Sequence, residues 1–189
     1  MIKAIIFDCF GVIVGRGFDN TYKLAGGQPK KDYLFVNENL KRANLGQISE
    51  IEFNQVMAGK VGKSLSEWQA NREKAEAKDT KLLGYICELK KHYKTAILSN
   101  SNKGVLSERI GDDLLKQCFD EVIVSAEVGL IKPDPKIYYL VAKKLKVDTN
   151  ECVFIDDHMK FVKAAATVGM TGIHYKNLED LKINLATIV

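Results

Sequence analysis

Apolar and polar positions alternate along this chain in a way that predicts strands separated by helices. Lys3 to Phe7 form a short continuous apolar run, the kind that fills a strand buried on both faces. Asp8 follows at once, and Gly11 breaks the run. Similar runs recur at Ala96-Ile97-Leu98 before Ser99, at Val122-Ile123-Val124 before Ser125, and at Val153-Phe154-Ile155 before Asp156. A weaker one spans Thr171 to His174. Between them the period changes from continuous to helical. Asp79 can cap a helix carrying Leu82, Leu83, Ile86 and Leu89 on one face. Asp134-Pro135 starts another, with Ile137, Leu140, Val141 and Leu145 at helical spacing. A third is expected from near Asp157 to Val168, with Gly169 just past its end.

Strands alternating with helices imply βαβ units, so the expected fold is α/β: a Rossmann-like parallel sheet with helices on both faces. The stretch from residue 15 to 78 departs from this rhythm. It has no comparable strand-like run and carries two capping boxes, Ser49 with Glu52 and Ser64 with Glu67. Gly46 and Gly62 stand where the preceding helices would end. The reading is a core of residues 1–14 and 79–189, interrupted by a small helical domain of residues 15–78. Trp68 is expected to pack inside that insertion.

The 189 residues leave room for one domain plus such an insertion. A formal charge of +4, from dispersed lysines, gives little support to nucleic-acid binding. It is compatible with attraction of a small anionic substrate. No apolar run approaches the ~20 residues needed to span a bilayer, and the N-terminus does not read as a signal peptide. The four cysteines, Cys9, Cys87, Cys118 and Cys152, form no CxxC pair and read as reduced thiols of a cytoplasmic protein. Cys9 falls on the face opposite Asp8, which makes it a core residue.

In an open parallel sheet, ligands bind beyond the carboxyl ends of the strands. The residues there are Asp8, Ser99 with Asn100, and the pair Asp156-Asp157; Lys132 lies in the loop after the strand that ends near Ser125. Carboxylates gathered on one edge repel unless a cation lies among them, and hard oxygen ligands suit magnesium. A lysine and a hydroxyl beside that metal make a pocket for a phosphate or carboxylate. Each residue alone reads as an ordinary turn former or cap; their order at successive strand ends is what carries the signal.

The segments IIFDCFGVI, AILSNSN, GLIKPDP and VFIDD resemble the four ordered motifs of the haloacid-dehalogenase superfamily. YKNLEDLKINL is similar to its closing segment. Response-regulator receiver domains use the same chemical groups, but their acidic pair comes early in the chain, whereas here it follows the lysine. The resemblance implies a helical cap inserted after the first motif, in agreement with residues 15–78. It also implies that Asp8 is the nucleophile forming a covalent aspartyl-phosphate. Mg2+ would be held by Asp8, the main-chain carbonyl of Phe10 and Asp157, with Asp156 acting through water. Ser99 and Asn100 would hold phosphoryl oxygens, and Lys132 would neutralise charge on nucleophile and phosphate.

Two aspartates at the fourth motif favour phosphoryl transfer over metal-free dehalogenation, whose branch usually carries serines there. Two positions depart from the family pattern. Phe10 stands where phosphatases usually place an acid/base aspartate, and losing such a group typically costs ~10² to 10⁴ in rate. Phe161 stands where relatives often have asparagine. Three functions therefore remain, in descending order: a phosphatase acting on a small phosphorylated metabolite such as a sugar phosphate, a metal-independent dehalogenase-like hydrolase, and a catalytically weak protein that binds a ligand or partner. Arg16 and Arg42 are the cations of the insertion to inspect for substrate contact, and His158 is expected at a helix start on the surface.

Overall fold

The computed structural model describes residues 1–188. Five strands form one sheet: β1 (Ala4–Phe7), β2 (Lys94–Ser99), β3 (Glu121–Val124), β4 (Cys152–Asp156) and β5 (Thr171–His174). Their order is β3-β2-β1-β4-β5 and every pairing is parallel. All five expected strands are present. The chain winds outward from β1 to β3, then crosses to β4 on the other side of β1. The strand order thus reverses between β1 and β4, which is where an open sheet leaves a crevice for a ligand. Phe7 pairs with Ile97 on one side and Ile155 on the other, so Asp8 emerges at that crevice.

Alternation along the central strand divides its side chains between two cores. Ile5 and Phe7 face one layer, with helices α5 (Thr80–Leu89), α6 (Val105–Ile110), α7 (Asp112–Cys118) and α11 (Leu178–Ala186). Ala4 and Ile6 face the other, with α9 (Pro135–Leu145) and α10 (Met159–Thr167). Asp79 caps α5 by accepting from the backbone N–H of Lys81 and Leu82, and Asp134 caps α9. α10 begins at Met159, two residues later than the expected helix, because Asp156 and Asp157 keep the preceding turn. α8 (Ser125–Val128) is a single turn after β3. The sequence pattern did not single out α6, α7 or α8, which are too short for a clear helical period.

Four helices occupy the chain between β1 and α5: α1 (Gly17–Leu24), α2 (Tyr33–Asn44), α3 (Glu50–Lys60) and α4 (Leu65–Ala75). Both expected capping boxes form, at Ser49 and Ser64, and Gly46 and Gly62 take positive φ at the ends of α2 and α3. These helices build their own apolar cluster from Tyr22, Val36, Phe53, Met57 and Trp68, the last fully buried with its indole N–H donated to Asn54. The chain enters and leaves them side by side. Val14 bridges to Lys78, Gly15 donates to the Ala77 carbonyl, and Asp79 donates to that of Ile13.

One expectation is overturned. Cys87 and Cys118 are joined in a disulfide between α5 and α7, and only Cys9 and Cys152 are free. The pairing joins residues 31 apart in sequence whose proximity arises only when α5 and α7 pack together, so spacing could not reveal it. It removes the cysteine argument for a cytoplasmic setting. Among the described residues no helix is long and apolar enough to cross a membrane.

Candidate active site

Asp8, Asp156 and Asp157 converge because β1 and β4 are neighbours in register and each ends in a carboxylate. One oxygen from each of the three lies within 4.8 Å of the others, and all three residues are buried. Lys132 reaches between two of them. Its ammonium, also buried, donates to Asp8 Oδ1 at 2.6 Å and to Asp156 Oδ2 at 2.7 Å. The Phe161 ring lies 5.0 Å from the same ammonium and the Phe154 ring 5.3 Å, so aromatic faces line the side the carboxylates leave open. Phe161, in the place of a usual asparagine, therefore contacts the lysine through its ring.

These neighbours shift the ionisation of the cluster. Burial raises the Asp8 carboxyl to about 7; the Lys132 charge opposes the rise and the Asp156 charge adds to it. Burial works to lower the Lys132 pKa, but the charges of Asp8 and Asp156 outweigh it and raise the pKa above the ordinary value. Lys132 is thus held as a cation in contact with both carboxylates.

The other side chains set the geometry. Asn100 accepts from the Lys132 backbone N–H and donates to its carbonyl, so one of its donors and its oxygen fix the lysine loop. Asp156 has both oxygens engaged, Oδ2 by Lys132 and Oδ1 by the backbone N–H of His158. Asp157 Oδ2 accepts from Arg16 Nε at 2.8 Å, while its buried Oδ1 takes no hydrogen bond, with His158 Nε2 3.9 Å away. Gly11 has φ of +97°, and a Cβ there would collide with the Asp157 carboxylate. Glycine is required at this position for the acid to sit so close to the β1 loop.

Buried side-chain atoms without a hydrogen bond are Thr21 Oγ1, Ser99 Oγ, Ser101 Oγ and Asp157 Oδ1, among the described residues. Three of the four lie at this sheet edge, and orphaned polar atoms in a native site call for a missing partner. The donor set is all hard oxygen with one free buried carboxylate oxygen, which fits Mg2+.

Other expectations fall into place around the site. Cys9 is buried in the core below it, and His158 precedes α10 as an exposed residue whose imidazole lies 3.9 Å from Asp157. Arg42 is exposed on α2 and makes no ion pair among the described residues, whereas Arg16 does.

Sequence reasoning missed the residues on the helical side. A cavity of about 140 Å3 lies between the helices and the sheet edge, bounded by Phe10, Phe18, Phe53, Glu50, Arg72 and Ser101 among others. Beneath it runs a partly buried ionic chain: Glu50 to Arg72, Arg72 to Glu76, Glu76 to Arg109 on α6, and Arg109 to the exposed Glu108. Glu50 and Arg72 carry no motif signal, because a helical Glu and Arg read as solvated charges until packing encloses them.

The haloacid dehalogenase-like hydrolase family model matches residues 2–169. D-ribitol-5-phosphate phosphatase of Bacteroides thetaiotaomicron is 26% identical over 100% of this chain and 99% of its own length. Bifunctional epoxide hydrolase 2 of Sus scrofa is 34% identical over 91% of the chain, which spans only 36% of that protein. A HAD family enzyme from Bacteroides thetaiotaomicron, solved as a magnesium complex, superposes with a TM-score of 0.79 at 23% identity, covering 97% of this chain and 98% of that one.

Proposed function

The chain belongs to the haloacid dehalogenase-like hydrolases, and within that family we propose that it is a magnesium-dependent phosphatase of small phosphorylated metabolites. The observation that carries this reading is the cluster of Asp8, Asp156 and Asp157 around Lys132, with Asp157 Oδ1 buried and unpartnered. Asp8, Asp157 and the Phe10 carbonyl hold the metal, and Asp156 acts through water because both its oxygens are already engaged. When bound, Mg2+ supplies charge that draws the phosphate in and stabilises its transferring oxygens.

In this reading Asp8 attacks the phosphorus, the P–O bond to the alcohol breaks, and an aspartyl-phosphate forms; water then releases inorganic phosphate. Lys132 holds the Asp8 carboxylate in position and offsets charge as it builds on the phosphoryl group. Ser99 Oγ, buried and without a partner, donates to a phosphoryl oxygen, and the spare Asn100 donor does the same. The helices of residues 15–78 act as the cap that encloses the leaving group. Phe10 cannot donate a proton to that group, so a substrate with a good leaving group, such as a sugar 1-phosphate or an acyl phosphate, turns over fastest. Nucleic acid and membranes are not partners in this reading.

The test is phosphate release from a panel of monoesters and acyl phosphates, with Mg2+ and with chelator, beside Asp8→Asn. Release that needs Mg2+ and disappears in the variant is expected. Release that survives Asp8→Asn or chelation, or no release from any compound, would overturn the proposal.

A further inference from the structure

Aromatic rings complete the surroundings of the buried Lys132 cation. Its ammonium has three donors, and two of them make its hydrogen bonds, to Asp8 and Asp156. The third makes no hydrogen bond among the described residues. Phe161 sets its ring face 5.0 Å from the ammonium, and Phe154 sets its own at 5.3 Å. Both lie within the ~6 Å over which a ring quadrupole attracts a cation, an attraction that grows when water is excluded. A benzene ring has no lone pair, so it holds the cation without claiming the third N–H.

The two rings differ in what holds them. Phe154 is fully buried in β4, packs against the Tyr138 ring, and belongs to the core between the sheet and helices α9 and α10. Phe161 is only partly buried and stands in the first turn of α10. Its N–H donates to the His158 carbonyl, and its own carbonyl accepts from the buried Tyr138 hydroxyl at 3.1 Å. The His158 ring meets it nearly at right angles, 5.6 Å away. The ring is therefore fixed beside Lys132 by contacts that leave its face to the ammonium. Lys160 also brings its ammonium to 4.6 Å from this ring, but Lys160 is exposed, and a solvated cation gains less from a ring than a buried one.

We infer that Phe161 is a positioning residue: its ring face holds the Lys132 ammonium in place while the charge of Asp8 is consumed, and leaves the third N–H for the phosphoryl group. The inference rests on the phosphatase reading above. When an Asp8 oxygen bonds to phosphorus, the carboxylate becomes a neutral acyl group, and Lys132 keeps Asp156 as its one charged side-chain partner. The attraction of the ring does not depend on the charge of Asp8, so it counts for more after attack than before. An interaction that is stronger in the transition state than in the ground state raises kcat rather than lowering KM.

The experiment replaces Phe161, at that site alone, by mono-, tri- and pentafluorophenylalanine, and separately by leucine. Fluorine drains negative charge from the ring face while nearly keeping the ring's shape; leucine keeps apolar bulk without a ring. Acetyl phosphate is the substrate, because its leaving group has little need of a proton donor. With Mg2+ present, kcat falls step by step with fluorination while KM stays near the wild-type value. In Phe161→Leu it falls roughly 5- to 30-fold, the factor equivalent to ~1–2 kcal/mol of desolvated cation–ring contact. The same series in a Lys160→Gln background shows the same decline, since the exposed lysine is not the partner that matters. A ring that only packs would leave kcat flat across the fluorinated series, because fluorination removes no apolar surface. A flat series, or a decline that disappears in Lys160→Gln, overturns the positioning role while leaving the phosphatase standing. Failure of the wild type to release phosphate from acetyl phosphate overturns the phosphatase reading, and this role with it.

Discussion

Removing Arg16 is expected to tighten the proposed binding of Mg2+. The Arg16 guanidinium donates to Asp157 Oδ2 at 2.8 Å, and the two side chains differ sharply in environment, 64% exposed for Arg16 and 2% for Asp157. Three carboxylates against Lys132 and Arg16 leave the ionised cluster at −1; with Arg16 withdrawn and Mg2+ present the sum is 0. The metal therefore gains most where the arginine leaves. An ion pair with one well-solvated partner is worth about 1 kcal/mol, the upper end for exposed pairs. Mg2+ on the free Oδ1 competes with Arg16 for the charge of the same carboxylate, and weakening the pair by about 1 kcal/mol corresponds to roughly five-fold in affinity. Titration calorimetry of Mg2+ into Arg16→Ala should give a Kd about five-fold below wild type. The advantage should vanish in an Asp157→Asn background, since the competing pair no longer exists there. Equal or weaker binding in Arg16→Ala would refute the competition. It would mean that Arg16 swings aside without opposition, or that it orders the site for the metal.

Three further outcomes can be checked by melting and thiol measurements. Lys132→Met leaves Asp8 and Asp156 buried without their cation, and denaturant unfolding in chelator should show a loss of about 3–5 kcal/mol; a smaller loss when Mg2+ is added is expected, and full stability in chelator would contradict the pairing. The folded-state pKa of Asp8 is raised to about 7, so the folded protein binds the extra proton and this residue's contribution is present at low pH and lost as pH rises from about 4 to 7. The melting difference between Asp8→Asn and wild type in chelator should shift in favour of the variant across that window, and a flat difference would count against the raised pKa. Reduction should increase the reactive thiols of the denatured chain from two to four and, for a disulfide spanning 31 residues, lower stability by about 3–4 kcal/mol; four thiols without reductant would refute the bond.

The relation between sequence and structure differs from one part of the molecule to another. Strands such as AIIF and the CVFI of β4 were legible because a strand covered on both faces is apolar at successive positions. The ends of those strands were legible too: Asp8, Ser99, Asp156 and Asp157 each interrupt an apolar run where the sheet stops. Caps at Ser49, Ser64, Asp79 and Asp134 are local hydrogen bonds, set by residues two or three positions apart, so they were read without the fold. α10 began later than its period implied, because the turn at Asp156 and Asp157 answers to the site rather than to the helix.

What the sequence determined by itself was set by neighbours along the chain: the strands, the capped helix starts, the helical stretch between β1 and α5, and the groups at the strand ends. Tertiary structure alone decided how those groups meet. The parallel register of β1 with β4 brings Asp8 to Asp156 and Asp157, and Lys132 crosses 124 residues of sequence to reach Asp8. It also turned Glu50, Arg72 and Glu76 from charges with no motif into a paired row beneath a cavity, joined Cys87 to Cys118, and left the Ser101 hydroxyl without a hydrogen bond. The physical reason is that burial, pairing and pKa depend on distance through space, and a linear pattern records distance only along the chain.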